Sequence, residues 1–248
     1  DMARMFVWAT SFNRDISMWD MSSVTSMDEM FFHAVSFKQK LCGADWVNSK
    51  ASKTDMFTGS SGSISQPVCT ITAAFSSKVQ LKEGVVACLK LSPKGDCSNG
   101  PHGPIAEWDI SSVTDMTHLF SDANSFNGDV SKWDVSSVTS MSGMFMHATS
   151  FNGDLSKWDV SSVTDMNGMF GCTGVSAFDG DISKWNVSSV TSMSSMFMGA
   201  KSFNGDISKW DVSDVTDMAL MFLGATSFNG DLSKWDVSSV ADRNIMFS

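Results

Sequence analysis

Three kinds of residue recur in the 248-residue sequence at spacings that could do chemistry. Aspartates form two periodic sets, Asp129, Asp154, Asp181, Asp206, Asp231 and Asp134, Asp159, Asp211, Asp236; lysines form a third, Lys132, Lys157, Lys184, Lys209, Lys234. Rows of carboxylates attract cations, which makes a calcium-binding scaffold one reading, yet no EF-hand loop or calcium-binding nonapeptide repeat accompanies them. The lysines run beside the Asp134 set at matched spacing, so ion pairing between neighbouring units is expected to neutralise it, and no metal is assigned. The histidines, His33, His102, His118 and His147, are scattered, and Trp8 occupies the site equivalent to His33 and His147. No nucleophile, base and orienting group can be assembled, so neither an enzyme nor a cofactor is expected.

Cysteine and asparagine add two further chemistries. Cys42, Cys69, Cys88 and Cys97 bracket two segments where disulfides would staple the ends of an array, which implies an oxidising compartment; buried free thiols are the alternative, and Cys172 is left over. Asn186-Val187-Ser188 is the one N-x-S/T sequon and marks a possible glycosylation site.

The elements that must position these residues come from a repeat. Trp108, Trp133, Trp158, Trp185, Trp210 and Trp235 are separated by 25, 25, 27, 25 and 25 residues, and Phe126 to Ser150 reads FNGDVSKWDVSSVTSMSGMFMHATS. A 25-residue period and Val130, Trp133, Val135 in the L-x-x-L-x-L pattern predict an α/β solenoid. It would be a leucine-rich-repeat-like stack with a parallel β-sheet on one face and short helices or 3-10 turns on the other. Alternation along a strand puts Trp133 and Val135 inward and Lys132, Asp134 and Ser136 outward. Met141, Met144, Phe145 and Ala148 follow helical spacing, with Thr139 as N-cap and Asp115, Asp165 and Asp217 at helix N-termini of other rungs. Asn127-Gly128-Asp129 and its equivalents mark a tight corner. The Asn column Asn127, Asn152, Asn204, Asn229, with Asp179 in the fourth rung, is expected to be a structural amide ladder. The two residues extra before Trp185 fall in Gly171 to Val175, read as a bulged loop.

Between Trp46 and Trp108 the repeat lapses. Leu41 to Trp46 reads as a degraded strand, Asp55-Met56-Phe57 as a degraded helix, and Thr58 to Ser65 as a surface loop. Val79, Val85, Val86 and Leu89 then follow near-helical spacing behind Ser76 or Ser77 as N-cap, with Pro93 as the stop. The expected organisation is the C-terminal end of a first array in residues 1–69 with a degraded capping rung, a loop and N-terminal capping helix in 70–106, and a second array in 107–248; one continuous solenoid with a long insertion is the alternative. The sequence starts and stops inside a repeat unit, so a longer parent chain carrying the targeting information is expected.

Composition narrows the partners. Nineteen Met, nine Trp, 18 Phe and no Tyr are one module's preferences multiplied. A net charge of −10 without a basic cluster argues against nucleic acid, and no apolar run is long enough for a membrane span.

The motif FNGDISKWDVSSVTDM, with Met-Phe and a following Ala-x-Ser-Phe, resembles the BspA-like leucine-rich-repeat surface proteins and the related mycoplasma lipoprotein repeat family. That resemblance implies a secreted or cell-surface protein engaged in adhesion. The expected function is a non-enzymatic extracellular solenoid binding a protein or matrix partner through Lys132, Asp134, Ser136, Lys157, Asp159, Lys184, Lys209, Asp211, Lys234 and Asp236. A structural subunit that self-assembles into a fibre or coat is the alternative, beside the calcium scaffold.

Overall fold

The computed structural model describes residues 1–14, 16–17, 19–65, 74–98, 100–242 and 244–247. They fall into two compact units, Asp1–Ile71 with Asn99–Gly103, and Thr72–Ser98 with Pro104–Ser248.

In the second unit each 25-residue module closes into one rung, and the Met-x-x-Met-Phe segment joins rung to rung. Backbone N–H groups of Met141, Gly143, Phe145 and His147 donate to the carbonyls of Asp165, Asn167, Met169 and Gly171 in the next rung at 2.7–2.9 Å. The alternate N–H groups of Met144, Met146 and Ala148 turn back on Met141, Gly143 and Phe145 at 2.9–3.1 Å. Single parallel bridges run through Asp115, Ser140, Asp165, Ser192, Asp217 and Asp242. Of the short helix or 3-10 turn expected at Met141 to Ala148, the turn is formed, through bonds to carbonyls three residues back, and the helix is not, because an α-helix needs every one of these donors for its own carbonyls four residues back. Gly143 and His147 have φ of 59° and 61°, and equivalent positions hold His118, Asp122, Ser195 and Leu220 in the same left-handed region. That conformation costs a non-glycine residue roughly 1–2 kcal/mol, offset here by the ladder bonds made on either side.

Thr139 is not a helix cap. Its N–H and hydroxyl both donate to the Thr114 carbonyl, at 2.8 and 3.2 Å, and Thr164, Thr191 and Thr216 repeat this one rung on. Asp115, Asp165 and Asp217 close short turns by accepting from the N–H two residues ahead.

The strand expected through Trp133 is closed into turns, since Trp133 donates to Val130 and Val138 to Val135. The inward parity survives: Val130, Trp133, Val135 and Val138 are buried while Lys132, Asp134 and Ser136 are exposed. From Trp133 on, the buried indoles reach one rung back, Trp133 Nε1 to the Ile105 carbonyl at 2.8 Å, Trp158 to Val130 at 3.0 Å, Trp185 to Leu155 at 3.0 Å, Trp210 to Ile182 at 3.2 Å and Trp235 to Ile207 at 3.1 Å. Phe120, Phe145, Phe170, Phe197 and Phe222 form a parallel-stacked column with ring centroids 5.4–5.9 Å apart. The residues around the 27-residue spacing keep the ladder through the buried Cys172, whose N–H donates to Met198, and push Thr173, Gly174 and Val175 outward.

One end of the second unit is covered by a helix whose boundaries follow its caps. α2 (Lys78–Leu91) starts at Ser77, whose side chain accepts from Gln80 N, and buries Leu81, Gly84, Val85 and Cys88. Val79 and Val86, expected on its apolar stripe, are exposed instead. The Leu119 carbonyl is equivalent to Met144, which accepts a ladder bond from Phe120; at this first rung Lys82 Nζ supplies the donor, bonding Leu119 and His118 carbonyls at 2.8 Å each. Burial there pushes the Lys82 pKa down. Cys88 and Cys97 form a disulfide with 5.2 Å between Cα atoms.

The first unit repeats the same ladder, Met27, Glu29, Phe31 and His33 donating to Ser52, Thr54, Met56 and Thr58. Its irregular part differs from expectation. β1 (Lys40–Leu41) pairs in parallel with β2 (Ser63–Ile64), which lies inside the segment read as a loop, and Trp46 sits on α1 (Ala44–Asn48) rather than on a strand. Trp46 still donates its indole N–H to Ile16 at 2.9 Å. Asp55 to Phe57, read as a degraded helix, belongs to the last ladder rung. Cys42 is disulfide-bonded, and Cys69 lies outside the described residues.

Two substitutions separate backbone strain from steric overlap. At Gly168, φ 60°, an added methyl would meet only Met146 Sδ at 3.9 Å; at Gly199, φ 67°, it would overlap the Cys172 carbonyl. Gly168→Ala should cost about 1 kcal/mol and Gly199→Ala at least ~2 kcal/mol, the second midpoint falling several degrees below the first in thermal melts; equal midpoints would contradict the close approach. Trp158→Phe removes the inter-rung indole bond to the Val130 carbonyl, which keeps its bond from Trp133 N–H, and leaves a cavity behind, so it should cost about 2–4 kcal/mol in the same measurement.

Candidate functional site

The outward positions of the Trp segment are built by a three-residue device used twice per rung. An Asp followed two residues later by Ser closes an Asx turn, because a short carboxylate can accept from the N–H and hydroxyl just ahead of it. Asp134 Oδ1 accepts from Ser136 N at 3.1 Å and Oγ at 2.7 Å, Asp159 from Ser161 at 3.1 and 2.6 Å, and Asp211 from Ser213 at 3.2 and 2.7 Å. At the corner, Asp129 holds Ser131, Asp181 holds Ser183 and Asp206 holds Ser208, each through Oγ at 2.7 Å. Asp154, Asp231 and Asp236 accept from the N–H of Ser156, Ser233 and Ser238 at 2.9, 2.9 and 3.0 Å. The corner aspartates bond backbone N–H groups as a turn position implies, and the serine hydroxyl as second donor, with Ser136 part of the device rather than only a contact residue, is signalled by the D-x-S spacing repeated in NGDVSKWDVSS.

In Asp129, Asp154, Asp159, Asp181, Asp206, Asp211, Asp231 and Asp236 these hydrogen bonds favour the anionic form. The bond from Ser161 is the main cause lowering Asp159, and bonds from Ser183, Ser208 and Ser213 do the same for Asp181, Asp206 and Asp211. Lys132, Lys157, Lys184, Lys209 and Lys234 add a weaker field, felt by Asp129, Asp154, Asp181, Asp206 and Asp231 of the same rung. The expected ion pairing of these lysines with the Asp134 column is not formed: among the described residues the ion pairs are Arg4–Glu29 at 2.9 Å and Lys78–Asp115 at 3.0 Å. The five lysines are exposed.

The structure thus brings Lys132, Asp134, Ser136, Lys157, Asp159, Lys184, Lys209, Asp211, Lys234 and Asp236 onto the exposed positions of successive rungs, one Lys per rung and one Asp in every rung but that of Trp185. Asn186 takes the aspartate's place in the Trp185 rung and makes the same turn, accepting from Ser188 N at 3.2 Å and Oγ at 2.8 Å. The corner amides form a ladder. Asn127 Oδ1 accepts from Asn152 N, Asn152 from Asp179 N, Asp179 from Asn204 N and Asn204 from Asn229 N, all at 2.8–2.9 Å. The indoles of Trp133, Trp158, Trp185, Trp210 and Trp235 lie buried beneath this surface.

The histidines stay apart from the polar positions. His147 Nδ1 accepts from Thr173 N at 3.3 Å, and the His118 ring fills the space beside Gly143. Among the described residues no three His, Cys, Asp or Glu side chains converge on a point where they could hold a metal ion. No helix of the described residues is long and apolar enough to cross a membrane.

The Trp-x-Val-Ser-Ser rungs with their Met-Phe ladder are the part of the chain that a known family shares. The family model described as "Mycoplasma protein of unknown function, DUF285" matches residues 1–69, 95–175 and 172–248. The chain belongs to that family. Its matched residues include both runs of rungs and omit α2. No curated protein and no solved structure matches the chain.

The carboxylates give the fold a predictable acid limb. A carboxyl whose pKa is lowered by folding below its ordinary 3.8 contributes stability that is present above that value and lost as pH falls through the folded one. Thermal midpoints should stay level from pH 7 to about 5 and decline from there to about pH 2. Asp154, Asp159, Asp206 and Asp211 exchanged together for Asn, which keeps the accepting oxygen, should flatten that decline; an unchanged slope would show that the turns do not set it.

Proposed function

We propose that this chain is a non-enzymatic interaction protein that binds a protein or extracellular-matrix partner along the exposed Lys/Asp positions of its rungs. The observation that carries the reading is the combination of fixed carboxylates and unpaired ammonium groups. The Asp134, Asp159 and Asp211 carboxylates are oriented by their serines at 2.6–2.7 Å, and Lys132, Lys157, Lys184, Lys209 and Lys234 make no ion pair among the described residues. Charge that is already oriented loses little freedom on binding, and charge without an internal partner remains for an external one. Stacking at a constant interval repeats that pattern, so a long partner meets several equivalent contacts and gains by multivalency.

The inter-rung ladder, the inward indoles and the 25-residue period support a leucine-rich-repeat-like solenoid of the BspA-like type, here with turns in place of helices. On that reading residues 1–69 end one array and α2 opens the second. A cell-surface or secreted setting is favoured by the Cys88–Cys97 disulfide, which needs an oxidising compartment to persist.

Capture of the purified chain on a panel of immobilised extracellular-matrix proteins tests the reading. Lys157→Ala with Asp159→Asn removes one rung's Lys/Asp pair from the candidate surface and keeps its turn, so capture should weaken about tenfold, the equivalent of ~1.4 kcal/mol, while the thermal midpoint moves by no more than about 2 °C. Undiminished capture would remove these positions from the interface. Concentration-dependent filaments in electron micrographs, disrupted by the same pair, would move the function to self-assembly.

A further inference from the structure

We propose that Asn186 is an acceptor for an N-linked glycan, placed in the middle of the candidate binding surface. This rests on the extracellular reading above, since the modification requires passage through a glycosylating secretory route. Asn186-Val187-Ser188 is the one N-x-S/T sequence in the chain, and it stands where the neighbouring rungs carry Asp159-Val160-Ser161 and Asp211-Val212-Ser213. All three form the same turn, with the first side-chain oxygen accepting from the serine N–H and hydroxyl.

That turn fixes which end of the carboxamide faces inward. The backbone N–H of Ser188 can only donate, so the atom 3.2 Å from it is Oδ1, and the amide nitrogen Nδ2 is turned away. Asn186 is exposed and Val187 beneath it is 1 % exposed, so the rung presents the amide nitrogen to solvent while anchoring the residue after it. The Ser188 hydroxyl at 2.8 Å from Oδ1 draws density toward the oxygen and holds the group in one orientation. All these contacts close within three residues, so the acceptor geometry is available before the rung docks on its neighbours.

The transfer balances with a lipid-linked oligosaccharide diphosphate as donor. Nδ2 forms a bond to the anomeric carbon, the bond from that carbon to the diphosphate oxygen breaks, the diphosphate leaves with the electron pair, and Nδ2 releases one proton. The product keeps Oδ1 in its turn. It also sets a bulky polar chain between Lys132 and Lys157 on one side and Lys209 and Lys234 on the other, dividing the ladder into two shorter docking stretches.

The test is secretion of the full 248-residue chain, behind a heterologous leader, from a eukaryotic cell line competent for N-glycosylation, followed by peptide mass mapping. The peptide containing Asn186 should carry a hexosamine-based glycan, and release by peptide-N-glycosidase in ¹⁸O-water should leave labelled Asp at that position. Ser188→Thr should retain the glycan. Ser188→Ala should lose it, and so should Asn186→Asp, which restores the residue of the flanking rungs and therefore secretes and melts like the parent chain. An unmodified Asn186 in secreted, folded chain overturns the proposal. Matrix capture is scored separately on glycosidase-treated protein, so loss of the binding reading leaves the mass result standing, and the reverse.

Discussion

Everything in the repeat depends on how a rung satisfies its backbone without forming either a helix or a full strand. The Met-Phe segment splits its donors, alternate N–H groups going to the next rung and the rest to carbonyls three residues back. A buried backbone group left unpaired costs about as much as a lost hydrogen bond, so this division binds each module to its neighbour by necessity. The left-handed residues at Gly143 and His147 and their equivalents are the local cost of that arrangement, and the tolerance of His118, Ser195 and Leu220 there shows that the ladder outweighs it.

Trp and Phe reinforce the same coupling from inside. A buried indole N–H must find an acceptor, and in this fold the acceptor is a carbonyl of the preceding rung, from Ile105 to Ile207. One side chain thus supplies apolar area to its own rung and a polar tie to the rung before. The first rung has no predecessor to complete its ladder, and α2 meets that deficit with Lys82, whose ammonium takes the place of a missing N–H at Leu119. Sulfur and aromatic packing fill the remaining space, which accounts for the Met-rich composition.

With the interior committed to cohesion, the outward positions are free to vary, yet they too are patterned. Each Asp is tied to the Ser two residues on, which orients its carboxylate, and each Lys is left without an ion-pair partner among the described residues. The proposed docking role follows from that asymmetry. Asn186 keeps the turn while exchanging the charge for an amide, so the surface can change chemistry at one rung without disturbing the stack.

The period, the inward Trp and Val, the outward Lys and Asp, the Ser77 cap of α2 and the Asn ladder were legible in the residues, because burial parity, capping and repetition are local or periodic properties of the chain. Three things were not. Met141, Met144, Phe145 and Ala148 have helical spacing, but a neighbouring rung competes for their N–H groups, and spacing alone carries no record of that competitor. Lys132 and Asp134 are matched in sequence, yet the serine two residues ahead reaches the carboxylate first, at lower entropic cost than a long lysine crossing between rungs. The indole bonds to the preceding rung join atoms 28 or 30 residues apart. Their existence is implied by any buried Trp, while their address is decided only when the rungs stack.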